Sequence, residues 1–172
     1  MRANWIVAAA LLSLTLYGCG GRQQTEQPEP EPATAVIAPA PIDTRPVIVA
    51  FGDSLTAGYG VEPGKSYPDF LQRRLDAAGY KYHVVNLGVS GDTTTDGIQR
   101  IPEVLAAKPE LVILEFGGND GLRGLPVSTT RANLTQMIQS LQKAKIQILL
   151  AGMTLPRNYG SAYIHSFEKV YA

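Results

Sequence analysis

Four short apolar runs lie between residues 47 and 151, and amphipathic segments separate one run from the next. The runs lie at 47–51, 82–86, 111–116 and 146–151 and contain many β-branched residues. Runs of this length and composition are typical of buried strands, whereas apolar residues recurring every three or four positions are typical of helices. Strands that alternate with helices predict an α/β fold with a parallel, doubly wound sheet. Right-handed crossovers make this a three-layer α/β/α sandwich.

The intervening helices have start signals and apolar faces. Ser66, with a proline just after it, predicts the start of the first helix, and Gly79 ends it. Thr95 or Asp96 is the predicted cap of the second helix, and Ser128 is the predicted start of the third. The predicted apolar faces consist of Phe70, Leu71, Leu75 and Ala78, then Ile98, Ile101, Val104 and Leu105, then Leu134, Met137, Ile138 and Leu141.

The first 45 residues have a different composition. A short positive start is followed by an apolar stretch at 5–16, which is too short to span a bilayer and is typical of an export signal. The run Leu-Tyr-Gly-Cys that ends at Cys19 resembles the bacterial lipobox, in which the cysteine becomes the acylated amino terminus. We therefore expect residues 1–19 to be a lipoprotein signal peptide and the protein to be anchored in the bacterial periplasm or cell envelope. The alternative is an ordinary signal peptide with an incidental cysteine near its cleavage site.

Residues 20–45 are rich in proline and glutamate and contain few large apolar side chains. This composition predicts an extended, disordered linker that holds the following domain, 46–172, away from a membrane. A role in binding a proline-recognition module is the weaker alternative.

Overall composition narrows the class of protein. The 172 residues carry a formal net charge of +0 and are 45% hydrophobic, which fits one globular domain plus its leader. Without a basic excess, we expect no nucleic-acid partner, and we expect a monomer. Cys19 is the single cysteine, so an intrachain disulfide is impossible.

The first apolar run ends abruptly in Gly-Asp-Ser-Leu at 52–55. Gly52 permits a sharp turn, and the strand behind Ser54 would fix its position at the carboxyl edge of the sheet, where ligands bind in such folds. Ser54 is therefore a candidate nucleophile. The alternative is that Asp53 or Ser54 only caps the next helix.

Two other strand ends supply groups suited to the same chemistry. Residues 86–94 offer the backbone N–H of Gly91, and residues 115–121 offer the carboxamide of Asn119. Acyl transfer requires a nucleophile such as a hydroxyl and N–H donors that stabilise the developing oxyanion.

These three blocks, Gly-Asp-Ser-Leu at 52–55, the Gly91 block and Gly-Gly-Asn-Asp at 117–120, resemble the GDSL or SGNH hydrolases. The run 117–124 is similar to the bacterial arylesterase and thioesterase I branch, which includes periplasmic lysophospholipases. The resemblance extends from about residue 46 to the last residue. It implies that Ser54 forms an acyl-enzyme with an ester, thioester or lysophospholipid, without a cofactor. It also implies that the backbone N–H groups of Ser54 and Gly91 and the carboxamide of Asn119 form the oxyanion hole.

The family's carboxyl-terminal Asp-x-x-His pair has no match in the sequence. The two histidines are His83, at the start of the second predicted strand, and His165, on a predicted helix without an aspartate three residues earlier. We expect the chain to stop before the catalytic pair and to be nearly inactive by itself. The alternatives are a non-catalytic envelope protein that binds acyl chains or glycans, and an esterase or transferase acting on O-acetylated cell-wall sugars.

Three acidic residues, Asp53, Asp92 and Asp120, lie within or next to these blocks. Because histidine, cysteine or a further acidic cluster at ligand spacing is missing, we expect no metal site at Asp53 and Asp92. We expect both to cap loops by accepting backbone N–H groups, and Asp120 to brace the loop that carries Asn119.

The last two segments complete the predicted domain. Residues 154–160 form a loop at the carboxyl end of the fourth strand, which we expect to line the pocket; the alternative is a simple connection. A helix begins at Ser161, and its predicted apolar side consists of Tyr163, Phe167, Val170 and Tyr171. We expect a helix cut short beside an unfinished sheet to leave an apolar face uncovered.

Overall fold

The computed structural model describes residues 43–172. The predicted signal peptide, the lipid-attachment site at Cys19 and most of the predicted linker lie outside these residues, so they stay predictions. Within residues 43–172, no helix is long and apolar enough to cross a membrane.

The described residues form one four-stranded sheet in which every strand is parallel to its neighbours. The strands are β1 (Val47–Gly52), β2 (His83–Gly88), β3 (Leu111–Glu115) and β4 (Gln147–Leu150), in the order β2-β1-β3-β4. In the register, Gly52 at the end of β1 pairs with Gly88 on β2 and Glu115 on β3. The carboxyl ends of these three strands therefore meet at one edge of the sheet, as the sequence predicted.

Between residues 43 and 172, six α-helices accompany the sheet. They are α1 (Ser54–Ala57), α2 (Tyr67–Ala77), α3 (Thr94–Ala106), α4 (Gly118–Leu122), α5 (Val127–Lys143) and α6 (Ser161–Glu168), with 3₁₀ turns at Arg157–Tyr159 and Lys169–Tyr171. The chain passes from β1 to β2 in one direction and from β2 to β3 in the other. Right-handed connections that run in opposite directions lie on opposite faces of a sheet, so α2 covers one face while α3 and α5 cover the other. The predicted three-layer α/β/α fold is confirmed.

The hydrophobic core lies between the sheet and the α3 and α5 layer. The rings of Phe51 and Phe116 meet edge to face with centroids 4.7 Å apart. The buried residues of this core are Val49, Phe51, Ile101, Val104, Val112, Leu114, Phe116, Leu134, Met137, Leu141 and Val170. Phe51 lies at the end of β1 and Phe116 just after β3, so the core directly supports the edge at which Ser54 and Asn119 emerge.

The helix starts agree in part with the predictions. Ser66 caps α2 as predicted, and its capping box with Asp69 is complete. The cap of α3 is Thr93 rather than Thr95 or Asp96, because Asp96 accepts hydrogen bonds from the Thr93 N–H and hydroxyl and so closes the box from inside the helix. Helix α5 starts at Val127, directly after Pro126, so Ser128 lies within its first turn.

Some predicted apolar faces are less buried than expected. Phe70 is 53% exposed, and its ring contacts the Arg73 guanidinium at 4.3 Å, so it lies on the solvent side of α2. Leu105 is also on the margin of the core, at 37% exposed. The predicted uncovered face of the last helix is instead packed, since Phe167 is fully buried. Leu149, on the edge strand β4, is 56% exposed.

Candidate active site

The turn after β1 carries Ser54 as the first residue of the four-residue helix α1. Asp53 is the N-cap of α1, and its Oδ1 accepts the Leu55 N–H at 3.1 Å. Asp53 therefore takes the capping role that the sequence left open, and the Ser54 hydroxyl is held only by a long contact of 3.5 Å to Asp53 Oδ1. A β-carbon at Gly52 would lie 2.5 Å from the Glu115 carbonyl, so glycine is required for β1 to turn this close to β3.

Ser54 opens into a cavity of about 250 Å³ at the carboxyl edge of the sheet. The lining residues are Asp53, Ser54, Leu55, Gly118, Asn119, Leu122, Met153, Thr154, Leu155 and Pro156. The walls are largely apolar, and Asp53, Asn119 and Thr154 are the polar lining residues besides the serine. The loop after β4 contributes residues 154–156, which confirms this part of the predicted pocket wall, whereas residues 157–160 do not line the cavity.

Asn119 lies beside Ser54 because α4 starts at the end of β3. Its Nδ2 donates to the Asp92 carbonyl at 2.8 Å and to Asp53 Oδ2 at 3.1 Å. Asp53 thus contacts both the candidate nucleophile and the candidate oxyanion donor. An oxyanion at Ser54 would compete with the longer of these two bonds, the one to Asp53.

Gly91 lies on the loop between β2 and α3, with a positive φ of 92°. Its carbonyl accepts a hydrogen bond from Arg123 Nη2 at 2.8 Å. Gly91 is not among the residues that line the cavity. The structure therefore places Ser54 and Asn119 in one cavity, each in contact with Asp53, and it places Gly91 next to Asp92, whose carbonyl holds Asn119.

Asp120 ties the loop of Asn119 to α3 and is 1% exposed. Its carboxylate accepts the Thr94 N–H at 2.9 Å and the Thr94 hydroxyl at 2.5 Å, with a longer contact of 3.4 Å from the Thr130 hydroxyl. The predicted bracing role of Asp120 is confirmed.

The prediction that the Asp92 carboxylate caps a loop by accepting backbone N–H groups is wrong. This carboxylate pairs with the Arg100 guanidinium at 2.7 Å rather than with a backbone N–H. Arg100 reaches it from the first half of α3 and also donates to the Leu87 carbonyl at 2.8 Å, so the pair fastens the β2–α3 loop to that helix. Sequence spacing could not show this pair, because the loop folds back on the helix that follows it. No group of three or more acids, histidines or cysteines in residues 43–172 is arranged to hold a metal ion.

Glu115 is a buried acid behind the nucleophile turn whose role the sequence did not reveal. Its Oε2 accepts the Thr56 hydroxyl at 2.7 Å and the Asp53 N–H at 3.3 Å, while its buried Oε1 has no hydrogen-bond partner. Burial raises the pKa of Glu115 to about 7, and the nearby Asp53 carboxylate acts in the same direction. Burial also raises the pKa of Asp53. The sequence feature that could have indicated this role is a single acidic residue in an otherwise apolar strand, since a buried acid needs hydrogen-bond partners.

Neither histidine lies at the cavity. His83 begins β2 and pairs in register with Val47, at the opposite end of the sheet from Ser54, and its Nδ1 lies 3.3 Å from Asp43. His165 is exposed on α6 and does not line the cavity. Both placements match the sequence predictions. Within residues 43–172, the proton acceptor for Ser54 is therefore not a histidine of the cavity wall.

Comparison with known proteins decides the family. Residues 50–172 match the GDSL-like lipase/acylhydrolase family. The chain belongs to this family. The esterase TesA of Pseudomonas aeruginosa is 43% identical over 125 residues, which are 72% of this chain and 62% of that protein. Thioesterase 1/protease 1/lysophospholipase L1 of Escherichia coli is 38% identical over 72% of this chain and 59% of its own length.

Solved structures of this GDSL-like family agree with the fold. AlinE4, described as an SGNH-hydrolase family esterase, superposes with a TM-score of 0.71 at 48% sequence identity, covering 76% of this chain and 71% of its own. The chain spans about six tenths of the length of the curated relatives it matches, at 62% and 59%.

Proposed function

We propose that this GDSL-like chain contributes the nucleophile and oxyanion donors of a carboxylic ester hydrolase. The observation that carries the proposal is that Ser54 and Asn119 line one largely apolar cavity and that both hydrogen-bond to Asp53. A nucleophile beside an N–H donor suits attack on an ester or thioester carbonyl. Two relatives are named esterase and thioesterase 1/protease 1/lysophospholipase L1, and these names support the same class of substrate.

In the proposed reaction, Ser54 Oγ gives its proton to a general base, the role of the histidine of the family's Asp-x-x-His pair, and forms a bond to the carbonyl carbon while the carbonyl electron pair moves onto oxygen. The base passes this proton to the leaving group, then takes a proton from the attacking water and returns it to Ser54. The backbone N–H of Ser54 and Gly91 and the Asn119 Nδ2 donate to this oxyanion. When the carbonyl re-forms, the alcohol or thiol leaves and takes up a proton, and an acyl-enzyme remains on Ser54. Water then attacks the acyl-enzyme by the same route and releases the carboxylic acid, returning the proton to Ser54.

We also propose that the enzyme is an exported lipoprotein acylated at Cys19. The support is the order of a positive start, a short apolar stretch and a lipobox-like run, followed by a proline-rich linker. A lipid at Cys19 would hold the cavity near a membrane, where acyl esters are available.

Hydrolysis of p-nitrophenyl esters of graded acyl length, by the complete gene product, tests the proposed function. We expect Ser54→Ala to reduce kcat to the background rate and Asn119→Ala to reduce it by about 10²–10³-fold, the usual loss for one oxyanion donor. Ser90→Ala is the matched control, because Ser90 also follows a strand but is exposed and does not line the cavity.

The proposed function would be wrong if Ser54→Ala retained hydrolysis equal to that of Ser90→Ala. A phosphonate ester that labels an active serine provides a second measurement. We expect mass spectrometry to find the phosphonyl group on Ser54 and on no other serine.

A further inference from the structure

Tyrosine hydroxyls from the last part of the chain bind the backbone on both sides of Asn119. We call residues 116–125, which contain α4, the oxyanion loop. The Tyr171 hydroxyl donates to the carbonyl of Phe116 at 2.9 Å. Phe116 is the first residue of this loop and directly follows β3. The Tyr159 hydroxyl donates to the Leu122 carbonyl at 2.9 Å, at the end of α4. The two bonds therefore fasten the loop before and after the candidate oxyanion donor.

A third tyrosine spans the far side of the same loop. The Tyr163 hydroxyl lies 3.2 Å from the Leu125 carbonyl and 3.4 Å from the Gly121 carbonyl. The backbone N–H groups of residues 123–125 already donate to the carbonyls of residues 119–121. Tyr159 supplies a donor to the Leu122 carbonyl, the last of α4, and Tyr163 adds a donor at Gly121 and Leu125.

The glycines of the oxyanion loop allow this close approach. A β-carbon at Gly117, where φ is 113°, would overlap the Tyr171 hydroxyl. A β-carbon at Gly121 would lie 2.5 Å from Leu155 and 2.9 Å from Phe167. Packing and hydrogen bonding thus agree that the loop is shaped against residues 155–171.

Two of the three hydroxyls, those of Tyr163 and Tyr171, lie where ionisation is disfavoured. Burial raises the pKa of Tyr171, and it also raises the pKa of Tyr163, so both stay protonated at neutral pH. The bonds reach main-chain atoms that a substitution elsewhere in the loop cannot remove.

We propose that Tyr159, Tyr163 and Tyr171 are positioning residues that hold Asn119 at the distance and angle needed to donate to the oxyanion. The inference rests on the proposed function of this site. An oxyanion donor acts mainly in the transition state, and a displacement of about 1 Å in a catalytic group can reduce the rate about 10²-fold. The tyrosines should therefore affect kcat far more than KM.

Tyr→Phe substitution removes only the hydroxyl and keeps the ring in its packing. With the complete gene product, we expect each single variant to reduce kcat several-fold and the triple variant to reduce it by about 10–100-fold, with KM within about twofold. Tyr59→Phe and Tyr80→Phe are matched controls, because these rings are 81% and 60% exposed. Thermal unfolding of every variant shows whether it is folded. If the triple variant does not fold, the loss of kcat at nearly unchanged KM is tested on the single variants instead.

A double-mutant cycle with Asn119→Ala separates positioning from general stability. If the tyrosines act through Asn119, the triple Tyr→Phe substitution should have little further effect on kcat once Asn119 is alanine. The inference is overturned if the tyrosine variants match Tyr59→Phe, or if their loss of kcat persists in the Asn119→Ala protein. Retained hydrolysis in Ser54→Ala would instead refute the proposed function, so the two failures are distinguishable.

Discussion

Glu115→Gln tests whether the buried acid behind Ser54 is forced toward its neutral form. In the folded protein, burial and the neighbouring Asp53 carboxylate raise its pKa from 4.5 to about 7, and Tyr67 is the other titratable group of this network. The unfolded chain keeps the ordinary pKa of 4.5. Between these two values the folded state binds more protons than the unfolded state, so the free energy of unfolding falls as pH rises through this range.

The size of the effect follows from the shift. At about 1.36 kcal/mol per pKa unit, the rise from 4.5 to about 7 corresponds to about 3 kcal/mol, of which about 2.5 kcal/mol falls between about pH 5 and pH 8. Glutamine cannot ionise, and its amide oxygen can still accept from the Thr56 hydroxyl and the Asp53 N–H. We therefore expect the stability of Glu115→Gln relative to the parent to increase by about 2.5 kcal/mol across this interval.

Urea unfolding followed by circular dichroism at a series of pH values measures this difference. Glu110→Gln is the matched control, because Glu110 directly precedes β3 but is exposed. Each variant is compared with the parent at the same pH, so the titration of groups that do not interact with Glu115 cancels. A constant stability difference between Glu115→Gln and the parent from about pH 5 to pH 8 would refute the reasoning.

Two further substitutions test how the oxyanion loop is held. Asp120→Ala removes the acceptor of the Thr94 N–H and hydroxyl, and we expect urea unfolding to show a loss of about 3 kcal/mol or more, against less than about 1 kcal/mol for the exposed Asp76→Ala. Gly117→Ala places a β-carbon against a buried hydroxyl, so we expect a larger stability loss than for Gly124→Ala, whose β-carbon meets no atom. Equal losses within either pair would contradict these expectations.

The sequence predicted the parts of the site whose signals are local. Gly-Asp-Ser-Leu at 52–55 combines a strand end, a turn and a hydroxyl within four residues, and the cap at Ser66 needs only Asp69. The start of α5 was misplaced because the phi angle of Pro126 and its missing N–H suit a helix cap as well as Ser128 does.

The contacts that hold the site together were not predictable in this way. Glu115, on β3, hydrogen-bonds to Thr56, which follows β1 in the sequence. Tyr171 hydrogen-bonds to Phe116, although α5 and β4 separate the two residues in the sequence. In the sequence, Tyr171 is one of several aromatic residues on a helical face, and nothing local distinguishes a ring that packs from a hydroxyl that donates. Such pairs depend on the relative placement of distant elements, which periodicity does not specify.

The central position of β1 has a consequence for how the molecule folds. β1 is synthesised first of the four strands, yet it pairs with β2 and with β3, which both come later in the chain. The turn at Ser54 then takes its bonds from Glu115 and Asn119. Contacts between distant segments must overcome the entropy of closing long loops, so they form after local helices. We therefore expect the reactive end of the sheet to form together with the pairing of β1 and β3, after the local helices.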